Sequence, residues 1–524
     1  MQRFTFHRAA WPIIAGVMFS SAALAQPAPA KPQPQLEQKS YIKGLKLLGT
    51  HFAGSDRTGK MQMMELNGRR YMIQAHQVVV DPAKAADGGE HGYENVGAIY
   101  DITDPLKPIV VADNIWKGTI QIQVAYSESA RKWLLVTGYM QLGVDREGLR
   151  GIEIYDLSNP AQPRMLSRWS VDGGDPSRKV QTGLGTHRLY YDGGRYLYIP
   201  AAPDNSYRTP GESASGGYMA GLQILDISDP TKPVLVTNYH IPGQREEEVE
   251  ARAKWRHAKD KDALNWLHGG EYVPQRIENG GKLGYGPWGA FGMIIHDFSD
   301  IKNPKVVGTW AEEPYVPGPG IAAHTVDIAR LDRGFVIING EPFFPNCAEP
   351  YKDMYIVDVR DPAKPRQISV MPRPVPPADA PYKTFCQRYG RFGTHNPPHL
   401  KAPGKPAANF NCYSYFTAGL QCYDITDPRR PRIASYFIPP QGPKGAKASD
   451  KADLGGPWIR GVDEIFIEWD RKLIWAAADS GLYLLSAPEL GQPVLKGMPV
   501  KQWVFPDINR GWQFGPGGTA RTQE

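Results

Sequence analysis

The chain has 524 residues, a formal net charge of +6 at neutral pH, 55 Gly and 48 Pro. That much Gly and Pro without a collagen-like period calls for many turns, and an aromatic content of 11% excludes a disordered chain. Lys and Arg are scattered among acids, with no basic stripe interleaved with aromatics, which excludes nucleic acid as a partner.

Residues 1–25 read as an export signal. Arg3, His7 and Arg8 give a basic start, an apolar run from Trp11 to Leu24 follows, and Ala23-Leu24-Ala25 is a small-residue cleavage site. Residues 26–40 form a Pro-rich extended spacer. No later stretch is apolar enough to span a membrane, so the mature chain is expected to be periplasmic or secreted. Residues 41–505 are expected to be one repeat domain, and 506–524 a C-terminal tail.

The domain is built on one recurring phrase. It reads AIYDITDPLKPIVV from Ala98, IEIYDLSNPAQPRML from Ile152, LQILDISDPTKPVLV from Leu222 and MIIHDFSDIKNPKVV from Met293. It returns as MYIVDVRDPAKPRQI from Met354 and LQCYDITDPRRPRIA from Leu420, with a worn copy, LYLLSAPELGQPVLK, from Leu482. Each copy is a hairpin. An alternating apolar strand leads into short polar side chains that bond nearby backbone, and Pro then sets φ for the turn. Further strands lie between hairpins, such as RYLYIPA from Arg195, GFVIING from Gly334 and KLIWAAA from Lys472. Each unit therefore holds four strands, the content of a propeller blade. The expected fold is an all-β, seven-bladed β-propeller, with Asp101, Asp156, Asp226, Asp297, Asp358 and Asp424 equivalent in the first six blades. A parallel β-solenoid is the competing fold. Units longer than the ~40–50 residues usual for a blade imply loop insertions. Residues 41–52 (YIKGLKLLGTHF) match the last strand of a blade and can supply the missing outer strand of the seventh. Residues 245–262 (REEEVEARAKWRHAKDKD) read as an exposed, charged helix.

This hairpin resembles the LVIVD repeat of secreted or surface proteins of bacteria and archaea, over residues 97–495. The resemblance implies a propeller and leaves the activity open, because a fold does not specify chemistry.

Four cysteines suit an oxidising compartment, and no pair has CxxC spacing. Three pairings exist. Cys347–Cys386 with Cys412–Cys422 is favoured, the second across the turn at Thr417-Ala418-Gly419.

Four of the twelve histidines share one place in the repeat: His187, His268, His324 and His395. Each begins the expected innermost strand of blades three to six, and inner strands surround the axial channel. Converging imidazoles would hold a transition ion, iron or copper. The arrangement is similar in concept to the four-histidine iron centre of carotenoid-cleaving oxygenases and to the histidine-bound copper of selenium-binding-type methanethiol oxidases. No motif of either family is matched. Asp463 or Glu464 takes the corresponding place in blade seven, and His399 can compete with His395. Glu341 and Glu271 are the candidates to orient an imidazole in catalysis. His240, His257 and His296 read as surface or hairpin positions, and His91 as part of a Gly-rich loop. A repeated histidine can equally serve as a side-chain hydrogen bond that each blade needs.

No GxSxG elbow, HExxH, P-loop, Rossmann Gly cluster or CxxCH is present. Two functions remain. One is a metal-dependent oxidoreductase with a small-molecule substrate at the channel mouth. The other is a non-catalytic binding or scaffold propeller whose loops recognise a protein or small molecule.

Overall fold

The repeated phrase folds by one local chemistry. In each copy the first Asp ends a strand, and its Oδ1 accepts the backbone N–H two residues on. Asp101 takes it from Thr103, Asp156 from Ser158, Asp226 from Ser228, Asp297 from Ser299, Asp358 from Arg360 and Asp424 from Thr426. The acid three residues later repeats the bond, as Asp229 does with the N–H of Thr231. These side chains replace the ladder where the strand stops and so fix the reversal. In every blade the outer strand then slips register against its neighbour. Such a bulge adds twist and bends the strand.

The computed structural model describes residues 37–51, 57–80, 93–141, 147–208, 218–441 and 461–497, with a backbone pairing of Gln513–Phe514 and Ala520–Arg521. The export signal, the spacer before residue 37, the loop of His91 and the rest of the C-terminal tail lie outside the described residues. Seven antiparallel sheets follow in chain order as the seven blades of a propeller. Blade one runs outward as Arg57–Leu66, Arg69–Val79, Tyr93–Asp101 and Ile109–Ala112. Blade five runs as Ile321–Asp327, Phe335–Glu341, Met354–Asp358 and Arg366–Val370. No helix among the described residues is long and apolar enough to cross a membrane.

The core lies between blades. Phe335, Ile337 and Ile356 of blade five pack on Tyr413, Tyr423 and Ile425 of blade six. A middle strand is therefore covered on both faces, which is why Phe335–Glu341 and Leu473–Ala478 are buried at every position. Outer strands such as Val234–Tyr239 are half exposed.

Closure of the ring follows the expectation and adds to it. Lys46–His51 pairs with Gly481–Ser486 as the outer strand of blade seven. Tyr41–Lys43 does not join it; it pairs with Arg432–Ile438 as an extra outer strand on blade six. Gly44 makes the step between the two blades at φ 71°, where a Cβ would lie 2.8 Å from Ser435 Cβ. N- and C-terminal segments thus share one sheet.

Both favoured cysteine pairs form, Cys347–Cys386 and Cys412–Cys422, the latter directly opposite on adjacent strands. The helix expected over 245–262 is reduced to one turn, Val249–Arg252. Local side chains compete with helical hydrogen bonds there. Glu248 accepts the N–H groups of Gly243 and Arg245, while the Arg252 guanidinium donates to the carbonyls of those same residues.

Candidate metal centre in the axial channel

Inner strands lose regularity where their polar side chains reach the axis. In blade five the pairing of Ile321–Asp327 with Phe335–Glu341 slips between Ile321 and Thr325, which aims His324 out of the ladder. The same slip frees Lys60 in blade one and Asp463 in blade seven. In blades four and six the innermost segment is irregular. It is held by the His268 N–H on the Pro287 carbonyl and the His395 N–H on the Ser414 carbonyl.

These distortions bring the four repeated histidines side by side. Ring centroids are 4.6 Å apart for His187 and His268, 4.3 Å for His268 and His324, and 4.7 Å for His324 and His395. Glu341, at the end of its strand, lies against three of them. Its Oε2 is 3.3 Å from His324 Nε2 and 4.0 Å from His268 Nε2, and its Oε1 is 3.4 Å from His395 Nε2. His268, His324 and Glu341 form a group whose ligand atoms lie close enough to hold one metal ion. His187 is half-buried and stacks on Trp266; His395 flanks the group on the other side.

The far nitrogens of His324 and His395 are pinned. Thr325 Oγ1 is 2.7 Å from His324 Nδ1, and His395 Nδ1 donates to the Asp463 carbonyl at 2.9 Å. In the tautomer with its proton at Nδ1, each ring presents the Nε2 lone pair to Glu341. Burial pushes the imidazoles of His268, His324 and His395 well below the ordinary histidine range, so they are neutral at physiological pH. Burial also raises the Glu341 carboxyl, against the opposing pull of Arg391 and Arg188. Arg391 Nη1 donates to Glu341 Oε1 at 2.9 Å. The disulfide Cys347–Cys386 ties together the loops that follow Glu341 and precede Arg391.

Other candidates sit elsewhere. Glu271 is away from the channel histidines, with Oε1 2.9 Å from His296 Nδ1 in a fully buried pair. His296 is therefore an interior hairpin residue, packed on Tyr239, Trp288 and Phe298. His257 is 2% exposed, not a surface residue. His399 does not compete with His395; it meets Gln62 across the axis, at 2.6 Å between the Nε2 atoms. Arg391 carried no sequence signal, because its partner is fifty positions away and lies on another blade.

The LVIVD-repeat family model matches residues 214–241, which include the third hairpin. The chain carries an LVIVD repeat. No curated protein matches it. Among solved structures, it is similar to Raptor of Chaetomium thermophilum at 9% identity and TM-score 0.43, over 87% of this chain and 30% of that one. It is likewise similar to Sqt1 of Saccharomyces cerevisiae at 9% identity and TM-score 0.43, over 84% of this chain and 98% of that one. The chain thus spans under a third of Raptor's length.

Proposed function

We propose that this LVIVD-repeat propeller is an exported, periplasmic metal-dependent oxidoreductase that holds iron or copper in its axial channel. The observation that carries this reading is the convergence of neutral, buried His268 and His324 on the buried Glu341 carboxylate. Neutral imidazole and carboxylate are the donors such ions take. Thr325 would fix the ring of His324 and the Asp463 carbonyl that of His395, which keeps ligand nitrogens aimed at the ion. His187 and His395 would complete or flank the coordination sphere. Iron or copper bound here would supply one-electron redox chemistry and Lewis acidity to a small molecule at the channel mouth.

Elemental analysis of the purified protein tests this reading. One iron or copper per chain is expected, lost in His268→Ala and in His324→Ala. Metal-free protein after expression with both metals supplied would overturn it. Export is tested by mass spectrometry of the periplasmic fraction, with Gln26 expected as the first residue and an intact Met1 contradicting it.

One observation favours the second reading, a non-catalytic binding propeller. Arg391 already satisfies one Glu341 oxygen, and a buried carboxylate paired with Arg needs no ion. In that case the loops recognise a ligand and the histidines serve the fold.

A further inference from the structure

Along the axis from the histidine group, the channel opens into a cavity to which every blade contributes, with Lys60, Gln123, Arg188, Thr325, Asn396 and Glu464 among its walls. Three of these directly follow a site histidine: Arg188 follows His187, Thr325 follows His324, and Asn396 follows His395. The cavity is thus one residue layer from the histidine group, and none of the four histidines lines it.

Lys60 Nζ lies 2.8 Å from Glu464 Oε2 and 3.8 Å from Asp463 Oδ2, so carboxylates meet it directly. Arg188 is different. Its Nη2 donates to a neutral partner, Asn396 Oδ1, at 2.5 Å. Its Nε is buried and has no hydrogen-bond partner among the described residues. No carboxylate of the described residues lies within ion-pair distance of it. A guanidinium that lines a polar cavity and has no carboxylate in direct contact is a donor suited to a carboxylate.

We propose that the axial cavity binds a small monocarboxylate on Arg188. Arg188, which has no carboxylate in direct contact, matches one negative charge. A dianion such as sulfate would leave a surplus negative charge against Glu464. Gln123 and Asn396 supply neutral polar groups on neighbouring walls, which suits a carboxylate with a further polar substituent, such as a hydroxy acid. The inference does not require the metal.

The experiment is calorimetric titration of the full chain with sodium acetate and sodium glycolate, at fixed ionic strength balanced with chloride. It is run on protein as purified and after chelator treatment. Saturable binding is expected for both anions, tighter for glycolate, and none for acetamide. Arg188→Gln should weaken binding at least tenfold in both preparations, and Arg188→Lys should recover part of it. The acetate–acetamide contrast needs no variant, so it stands even if Arg188→Gln fails to fold. Equal binding of acetamide, or full competition by chloride at equal concentration, overturns the proposal. So does acetate binding that vanishes on chelation and is unchanged in Arg188→Gln, because the anion would then sit on the metal. Carboxylate binding to protein that is metal-free as purified, after expression with iron and copper supplied, would support the cavity assignment while refuting the oxidoreductase reading.

Discussion

Replacing Glu468 with Gln should unlatch the ring where its first and last blades meet. Glu468 ends the inner strand of blade seven and is fully buried. Its Oε2 accepts Arg70 Nη1 at 2.5 Å and Arg471 Nε at 2.7 Å; its Oε1 accepts Arg471 Nη2 at 2.8 Å and Trp475 Nε1 at 2.7 Å. Arg70 belongs to blade one, and Arg471 also donates to the Ile102 and Thr103 carbonyls of that blade. Whichever oxygen becomes NH2, two buried donors then face a donor, at about 1–3 kcal/mol each. Asp470 and Glu65 still hold Arg70, which tempers the loss. The expected destabilisation is about 3–5 kcal/mol, the usual result of breaking a buried ion pair. The exposed pair of Arg432 and Asp424, with side chains 76% and 28% accessible, is the control. Asp424→Asn should change stability by no more than about 1 kcal/mol. Urea denaturation followed by tryptophan fluorescence measures both through the midpoint. Although burial opposes ionisation, Arg471 and Arg70 hold the Glu468 carboxyl below its ordinary value. A depressed carboxyl stabilises fully above its unfolded value of about 4.3, and that contribution is lost as pH falls through the folded value. The gap between wild type and variant should therefore narrow in acid. Equal midpoints for Glu468→Gln and Asp424→Asn at neutral pH would refute the reasoning.

Three further outcomes are expected. Gly97→Ala places a Cβ 2.0 Å from the Trp116 ring; overpacking of this kind costs about 1–3 kcal/mol or more, read as a lowered urea midpoint. Deletion through His51 removes the outer strand of blade seven and the extra strand on blade six, so hydrogen exchange should rise across Gly481–Ser486 and Arg432–Ile438. Cys347→Ser with Cys386→Ser frees the loops beside Glu341 and Arg391, so metal content should fall, whereas Cys412→Ser with Cys422→Ser should lower stability and leave metal content unchanged.

The hairpins were legible because each depends on neighbours in sequence: an Asp, the N–H two residues on, and a Pro. The histidine group was legible for a related reason. Equivalent places in successive blades must meet at the axis, so His187, His268, His324 and His395 could be brought together before any coordinates. Their fine geometry was not legible, since it comes from slips in register at His324, Lys60 and Asp463, and a slip depends on both paired strands. The partner of Glu271 was not legible, because a carboxylate three positions from His268 says nothing of direction, and it pairs with His296 on a neighbouring strand. The charged stretch 245–262 misled because composition favours a helix while the Arg252 guanidinium clamps a loop.

The charges around the channel link the two proposals. In protein without metal, Glu341 faces Arg391, Glu464 faces Lys60, and Asp463 lies 3.3 Å from His395 Nδ1 and 3.8 Å from Lys60. A divalent ion bound by Glu341 and neutral imidazoles adds two positive charges to a buried site and brings no anion with it. Arg188, already without a carboxylate partner, then lies in a more positive field. A monocarboxylate in the adjoining cavity relieves both, so metal and anion should favour each other's binding. Couplings between neighbouring sites of this kind are about 1–3 kcal/mol, or roughly 5–150-fold in affinity. Linkage requires the factor to be the same in both directions. Glycolate should therefore bind more tightly to the metal-loaded protein, and metal should bind more tightly in glycolate by the same ratio. The Arg188→Gln variant should lose most of this coupling while keeping its metal. If glycolate binds both forms of the wild-type protein equally, the two sites do not sense each other's charge, and the carboxylate belongs to a cavity that serves some other purpose than the metal.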